Sequence, residues 1–385
     1  NHKKTPISGR EKLRKTTVSI LALACTSLFP AVAAAQDAPA ADAEAADSAD
    51  NGDIIVTAQR REERLQDVPA SISAFSSDAL ETAGITNTQE LTKITPGLNF
   101  SRGSYAPQPT IRGIGLRGVN TGDESVVPIF IDGVYQPFLL GGFIELNNLE
   151  RVEVLKGPQG ALLGRNATGG AINLVTTAPT NEFRAKASIG TGRFDLVEAK
   201  AYVSGGIGPV SADLGVIYYD DNGYMRNILT GRRTGNRDGL SLRSKLRFEI
   251  SDATEATLTY FHTEAFSAGN ANAPIDGNTI GRRPGVGGIY SDRPYEVASN
   301  LAFLDTNQDG LALTLNIRGD AFDAHSIVSY QDNRGRAPAD SDGTSALAAG
   351  FDNFYASKSL YVENYLTSNG NGPFKWLAGM VYYND

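Results

Sequence analysis

Several stretches of the chain carry residue types and spacings from which chemistry could be built. Gly113-Ile-Gly115-Leu-Arg-Gly118 has the letters of a dinucleotide-binding turn. Pro107 and Pro109 stand before it, and Val119–Ser125 reads as loop where a phosphate-binding helix should begin. Those glycines are therefore assigned to tight turns. Gly164 and Gly169 are spaced as in a phosphate loop, but Gly170-Ala171 follows instead of Lys and Ser/Thr. Asp305-Thr-Asn307-Gln-Asp309-Gly310 opens like a calcium loop, yet its twelfth position is Asn316 rather than a bidentate Glu. It is read as a loop-closing turn. Asn166-Ala-Thr168 has glycosylation letters but lies inside a glycine-rich core, and His2, His262 and His325 do not cluster. With no nucleophile elbow and no zinc-ligand pair, no catalytic constellation, metal site or cofactor is expected, and the chain is not expected to be an enzyme.

The remaining chemistry belongs to the backbone. Asp53, Ile54, Ile55, Val56, Thr57 and Ala58 form a run of β-formers between an Ala- and Asp-rich segment, Gln36–Gly52, and a charged patch, Arg60–Arg64. Gln36–Gly52 has almost nothing to bury and is expected to be a disordered tether. A β-prone peptide at the tip of a tether suits strand addition to a partner's open sheet edge. The alternative is that it simply starts the first domain's sheet.

Upstream, residues 1–35 read as a cleaved secretory signal. Lys3, Lys4, Arg10, Lys12, Arg14 and Lys15 form the basic region, Val18–Phe29 the apolar core, and Ala33-Ala34-Ala35 the cleavage site. Its removal takes the formal charge from −8 to about −13 and deletes Cys25, the single cysteine. The exported chain then has no disulfide framework, no thiolate metal site and no basic cluster suited to nucleic acid.

Two different grammars must position these segments. From Leu65 to about Thr177 the pattern is mixed α/β. Ser71–Phe75 reads as a strand, Ser77 as the cap of a helix through Ala83, and Thr88–Ile94 as a second helical piece. Gly103–Pro109 and Thr121–Ser125 read as loops, and Asp132-Gly133 as a hairpin turn. Asn148–Thr177 predicts two strands, Leu149–Lys156 and Ala171–Thr177, around a compact turn built on Gly157, Gly160, Gly164, Gly169 and Gly170.

After Asn181 the period becomes two. Leu240, Leu242, Leu246, Phe248 and Ile250 alternate with Ser241, Arg243, Lys245, Arg247 and Glu249, and Leu311, Leu313, Leu315 and Ile317 with Ala312, Thr314, Asn316 and Arg318. Nine such strands are expected, near residues 184–190, 196–207, 211–220, 239–250, 254–264, 310–318, 321–330, 357–368 and 373–383. Most have the length that crosses a bilayer at a tilt. Their connections alternate short (Gly208–Val210, Ser251–Ala253, Gly319-Asp320, Asn369–Gly372) and long (Asp221–Asp238, Ala265–Asp309, Gln331–Ala356). That sorting points to an outer-membrane β-barrel. An odd strand count leaves two open edges, so the barrel strands are expected to be a fragment of a larger whole.

Together Asn148–Thr177, the IRGIG stretch at Ile111–Gly115, the FIDGVY stretch at Phe130–Tyr135 and the segment at Asp53–Ala58 resemble the TonB-dependent outer-membrane receptors. The resemblance implies an α+β plug domain (65–180) followed by transmembrane antiparallel β-barrel strands (181–385), about nine of the 22 of the family's plugged barrel. It makes 53–64 the TonB box with its charged neighbour, TonB and its inner-membrane proton-driven complex the partner, and outer-membrane lipid the surroundings. The expected activity is energised import of a scarce or bulky small molecule, with ferric siderophores foremost. Polar and aromatic residues of the plug loops, Arg102, Tyr105, Gln108, Asn120, Asp123, Glu124 and Gln136, are the expected substrate contacts. The competing readings are a passive pore or adhesin, a secreted β-rich hydrolase, and a signal transducer, for which Gln36–Gly52 is too short to be the extra domain.

Overall fold

A computed structural model describes residues 54–57, 60–103, 106–116, 123–137, 148–164, 166–268, 283–298, 302–340, 342–346, 348–369 and 374–385. All belong to one compact unit, Asp53–Asp385. The expected signal and tether lie outside the described residues, as do Asp53 and Ala58.

In chain order the first strands are β1 (Ile55–Val56), β2 (Glu63–Arg64), β3 (Ile72–Ser76), β4 (Leu98–Gly103), β5 (Ala106–Ile111), β6 (Ile114–Gly115), β7 (Ile129–Ile131), β8 (Val134–Gln136), β9 (Leu149–Lys156) and β10 (Gly170–Thr176). Two short helices, α1 (Ser77–Thr82) and α2 (Gly160–Leu163), accompany them. Ser76 rather than Ser77 caps α1, its hydroxyl accepting from the Ala79 amide.

A five-stranded mixed sheet, in the order β3-β9-β10-β7-β8, holds the interior together. β9 and β10 are its centre, and the apolar residues of both turn onto one cluster. Val152, Val154, Ile172 and Leu174 meet Leu91, Ile111 and Val127, all almost without exposure. Each such side chain contributes roughly 1.5–3 kcal/mol by leaving water. The glycine turn exists for closeness as well as curvature. A Cβ on Gly169 would meet Cγ2 of Val127 at 2.9 Å, and Gly170 sits at φ 139° against the Leu155 carbonyl. Asp132 and Gly133 take φ 50° and 79°, the paired positive values of a tight hairpin turn between β7 and β8.

The rest of the chain builds a wall from β11 (Arg184–Thr191), β12 (Val197–Ile207), β13 (Val210–Asp220), β14 (Met225–Asn227), β15 (Arg233–Thr234), β16 (Arg237–Ser251), β17 (Thr254–Ser267), β18 (Glu296–Val297), β19 (Leu304–Ile317), β20 (Phe322–Asp340), β21 (Gly350–Ser368) and β22 (Leu377–Asn384). Nine of these pair in sequence order as one antiparallel sheet, β11-β12-β13-β16-β17-β19-β20-β21-β22. The short strands β14, β15 and β18 pair separately among the long connections. Ladder partners such as Leu246, Leu258, Leu313, Val328, Val362 and Tyr382 form one row across six strands. Leu313 in that row is 48% exposed, whereas Ala312 and Ile327 on the opposite face are buried against Val134. One face therefore offers an apolar band outward while the other encloses the mixed sheet. Tyr260 and Tyr330, paired through Leu311, edge the band toward the long connections, and Phe322 with Trp376 edges it toward the short turns. This is an outer-membrane wall with aromatic girdles.

Three expectations change. The calcium-like stretch Asp305–Gly310 is not a turn but part of β19, and β20 and β21 extend through residues 331–340 and 350–356, read from sequence as loop. Beyond the band both faces meet polar surroundings, so the alternation that marks a strand disappears although the ladder continues. Gly103–Pro109 likewise holds the ends of β4 and β5 rather than a loop. Pro107 and Pro109, two residues apart, both lose their donors on one side, where β6 covers only Thr110 and Ile111. Finally, Phe374 and Trp376 precede β22 instead of lying in it.

Candidate functional site

The expected docking segment is folded back on its own neighbour. Ile55 pairs with Arg64 and Val56 with Glu63, and the Leu65 amide donates to the Ile54 carbonyl at 2.9 Å. It joins a two-stranded sheet of its own rather than the five-stranded one. Ile55 stays 42% exposed while Val56 is 1% exposed.

Glu153 anchors the end of this hairpin. It lies in β9, at the centre of the mixed sheet, without exposure. A buried carboxylate needs donors, and the segment supplies two of them. The Thr57 amide donates to Glu153 Oε1 at 2.9 Å and the Thr57 hydroxyl at 3.3 Å. Arg151 Nε and Asn173 Nδ2 complete the set at 2.7 and 3.3 Å.

Arg60 fastens the hairpin to the wall. Its guanidinium forms an ion pair with Glu363 of β21 at 2.6 Å, with side-chain exposures of 10% and 4%. It also lies over the rings of Phe130 and Tyr365, at 5.8 and 5.5 Å. Glu363 accepts in addition from the Tyr361 hydroxyl at 2.9 Å. Arg60 adopts φ 59°, a conformation unusual for a side chain of that size. Arg61 reaches Ser368 Oγ at 3.0 Å and the Trp376 carbonyl.

A second contact between mixed sheet and wall centres on Asp132 of the FIDGVY turn. Lys245 Nζ is 3.1 Å and Arg243 3.8 Å from its carboxylate, while the Thr176 amide and hydroxyl donate to it at 2.8 and 2.7 Å. Lys245 also donates to the carbonyls of Thr176 and Thr177, both at 3.3 Å. Burial works against the Asp132 charge, yet these cations and donors hold its carboxyl below the usual range.

The residues expected to contact substrate are scattered. Asn120 and Tyr105 lie outside the described residues, and of Arg102 only its place in β4 is described. Gln108 is enclosed without exposure in β5, both amide atoms lacking a partner among the described residues. Asp123 and Glu124 precede β7, Glu124 accepting from Asn166. Gln136 ends β8 and accepts from Gln308 of the wall at 3.1 Å. Sequence reasoning passed over Arg60, Glu153, Glu363 and Lys245. Only the buried acid in an otherwise apolar strand, Val152-Glu153-Val154, signalled any of them.

An amphipathic strand wall enclosing a small α/β unit defines a plugged outer-membrane barrel protein. Comparison with known proteins gives its relatives. Residues 64–171 match the TonB-dependent receptor plug domain. The chain is 32% identical over 211 residues to the pesticin receptor of Yersinia pestis, covering 53% of this chain and 29% of that protein. It is 30% identical over 198 residues to the vitamin B12 transporter BtuB of Vibrio vulnificus, covering 49% and 30%. Among solved structures, the ferric yersiniabactin uptake receptor FyuA of Yersinia pestis superposes with a TM-score of 0.69 at 20% identity, over 82% of this chain and 48% of that one. The ferripyoverdine receptor of Pseudomonas aeruginosa gives 0.67 at 20% identity, over 86% and 44%. Residues 64–171 thus carry the plug domain of the TonB-dependent receptors, and the relatives are outer-membrane receptors rather than enzymes. It spans less than a third of the length of these two curated relatives.

Proposed function

We propose that the complete protein imports a scarce or bulky small molecule across the outer membrane, with energy delivered by TonB at Asp53–Ala58. The observation that carries this reading is the fastening of that segment. Its Thr57 donors complete the shell of a carboxylate at the centre of the plug sheet, and its neighbour Arg60 is paired to the wall. Withdrawing the strand takes donors from Glu153, so a pull there reaches the middle of the plug in a single step. Strand addition suits the act of gripping, because it needs only backbone donors and acceptors and the exposed Ile55 side. Plug 65–180 then acts as the stopper and the strands after 181 as the surrounding wall. The relatives that take up ferric siderophores make iron chelates the foremost cargo class.

Replacing Ile55 by Pro in the complete receptor tests the docking role. Proline removes a ladder donor and blocks strand addition. Uptake should collapse while surface binding of the cargo persists; normal uptake would refute the reading.

A further inference from the structure

The wall above the plug separates charge from neutrality by face. On the outward side of β17, β19, β20 and β21, beyond the tyrosine girdle, stand His262, Asp309, Asp332, Arg334 and Lys358. They are knit by pairs such as His262–Asp309 at 2.9 Å and Arg334–Asp332 at 2.9 Å. The inward side of the same lengths of strand, from Thr259, Ala312, Ser329 and Ser359 toward the long connections, carries no charged side chain among the described residues. Hydroxyls, amides and two kinds of aromatic ring take their place.

The centre of that inward face is built from amides. Gln308 Nε2 donates to Gln331 Oε1 at 3.2 Å and to the plug's Gln136, and Gln331 Nε2 donates to the Tyr135 carbonyl at 2.7 Å. On either side of Gln331 along β20, Ser329 and Asn333 are almost without exposure. The Ser329 hydroxyl and both amide atoms of Asn333 have no partner among the described residues. Buried amides are ordinarily satisfied, so such orphans call for partners from outside the chain, water or a ligand. Phe261 lies in the same ladder row as Gln331, and Tyr355 on the inward face one row beyond Asn333. Tyr355 provides an apolar face beside these donors and acceptors, and the Phe261 ring carries the Arg243 guanidinium at 5.5 Å.

Neutral amides exchange hydrogen bonds with neutral hydroxyls and carbonyls at little desolvation cost. An anion placed here would lose its hydration, and the inward cation of the same ladder row, Arg243 of β16, lies over the Phe261 ring at 5.5 Å and is already committed to Asp132 at 3.8 Å. Within β20 and β21 themselves, Arg334 and Lys358 are on the outward face and both paired with Asp332, at 2.9 and 3.9 Å. We propose that this inward wall is a recognition surface for an uncharged ligand rich in hydroxyl or carbonyl oxygens, and not for an anionic iron chelate. The inference rests on the receptor reading above and narrows its cargo. Two sources share this chemistry: a neutral oligosaccharide and a neutral hydroxamate iron chelate.

The test is equilibrium binding to the complete receptor in detergent, which requires no TonB and so stands apart from the Ile55→Pro experiment. Calorimetric titrations use maltotriose, ferrichrome and ferric enterobactin as probes, at low and at high salt. One neutral probe should bind with an affinity that changes less than about threefold with salt, and ferric enterobactin should not compete. Which neutral probe binds identifies the source. Asn333→Asp should weaken that binding at least tenfold, whereas Asn333→Gln should keep it within about threefold. Preferential binding of ferric enterobactin, or no saturation by either neutral probe at millimolar concentration, would overturn the proposal.

Discussion

Replacing Arg60 by Ala should loosen the docking segment by an amount that follows from its surroundings. In the closed state the guanidinium has an ion pair at 2.6 Å with a carboxylate that is 4% exposed, and two aromatic faces within 6 Å. Glu363 is left without Arg60 in the released state of either protein, so its own penalty cancels. What differs is the net value of the closed contacts. A hydrogen bond between charged groups contributes ~1.5–3 kcal/mol. Cation–π contact adds about 0.5–2 kcal/mol. Taking about 3 kcal/mol in all, the released fraction should rise on the order of 100-fold, since 1.4 kcal/mol is tenfold. Val56→Cys supplies the assay. Position 56 is 1% exposed, and Cys25, the single natural cysteine, lies in the expected signal. The rate of maleimide labelling at saturating receptor fold should then track release. Labelling in Arg60→Ala, Val56→Cys should run about 100 times faster than in Val56→Cys alone. A change below about threefold would refute the idea that this ion pair holds the segment shut.

Two further outcomes concern the stopper and the wall. Asp132 has a carboxyl held below its ordinary value, so the stabilisation it brings is present above about pH 3.9 and is lost as pH falls through the depressed folded value. Asp132→Asn should cost about 3–5 kcal/mol by taking the carboxylate from Lys245 and Arg243 and should flatten the acid limb of plug unfolding in urea; an acid limb like the wild type's would contradict the assignment. Leu313→Lys places a charge in the outward apolar band and should cost roughly 2–4 kcal/mol in refolding into lipid vesicles. Thr314→Lys, on the inward face, should not show that dependence on lipid, and equal losses in lipid and detergent would reverse the facing deduced for β19.

What the amino-acid order determines is the part of the fold where one face must differ from the other. Leu311–Ile317 and Leu240–Ile250 alternate because lipid meets one side and the plug or lumen the other, so nine strands and their order could be read directly. Asp132-Gly133 and the glycines of 157–170 announce turns because few other residues tolerate those backbone angles. Where neither face of a strand repeats large apolar residues, as at Asp305–Gly310 and along residues 331–340, no such contrast exists and the strand is invisible until its ladder partners are in place. The docking segment is legible as a β-prone peptide, but its resting place is not. Thr57 meets Glu153, Arg60 meets Glu363, and Asp132 meets Lys245 across separations of roughly 100 to 300 residues. Each is an ordinary polar residue in the chain, and becomes part of a fastening only when plug and wall have been folded around one another, since a buried charge selects its partner by position rather than by sequence neighbourhood.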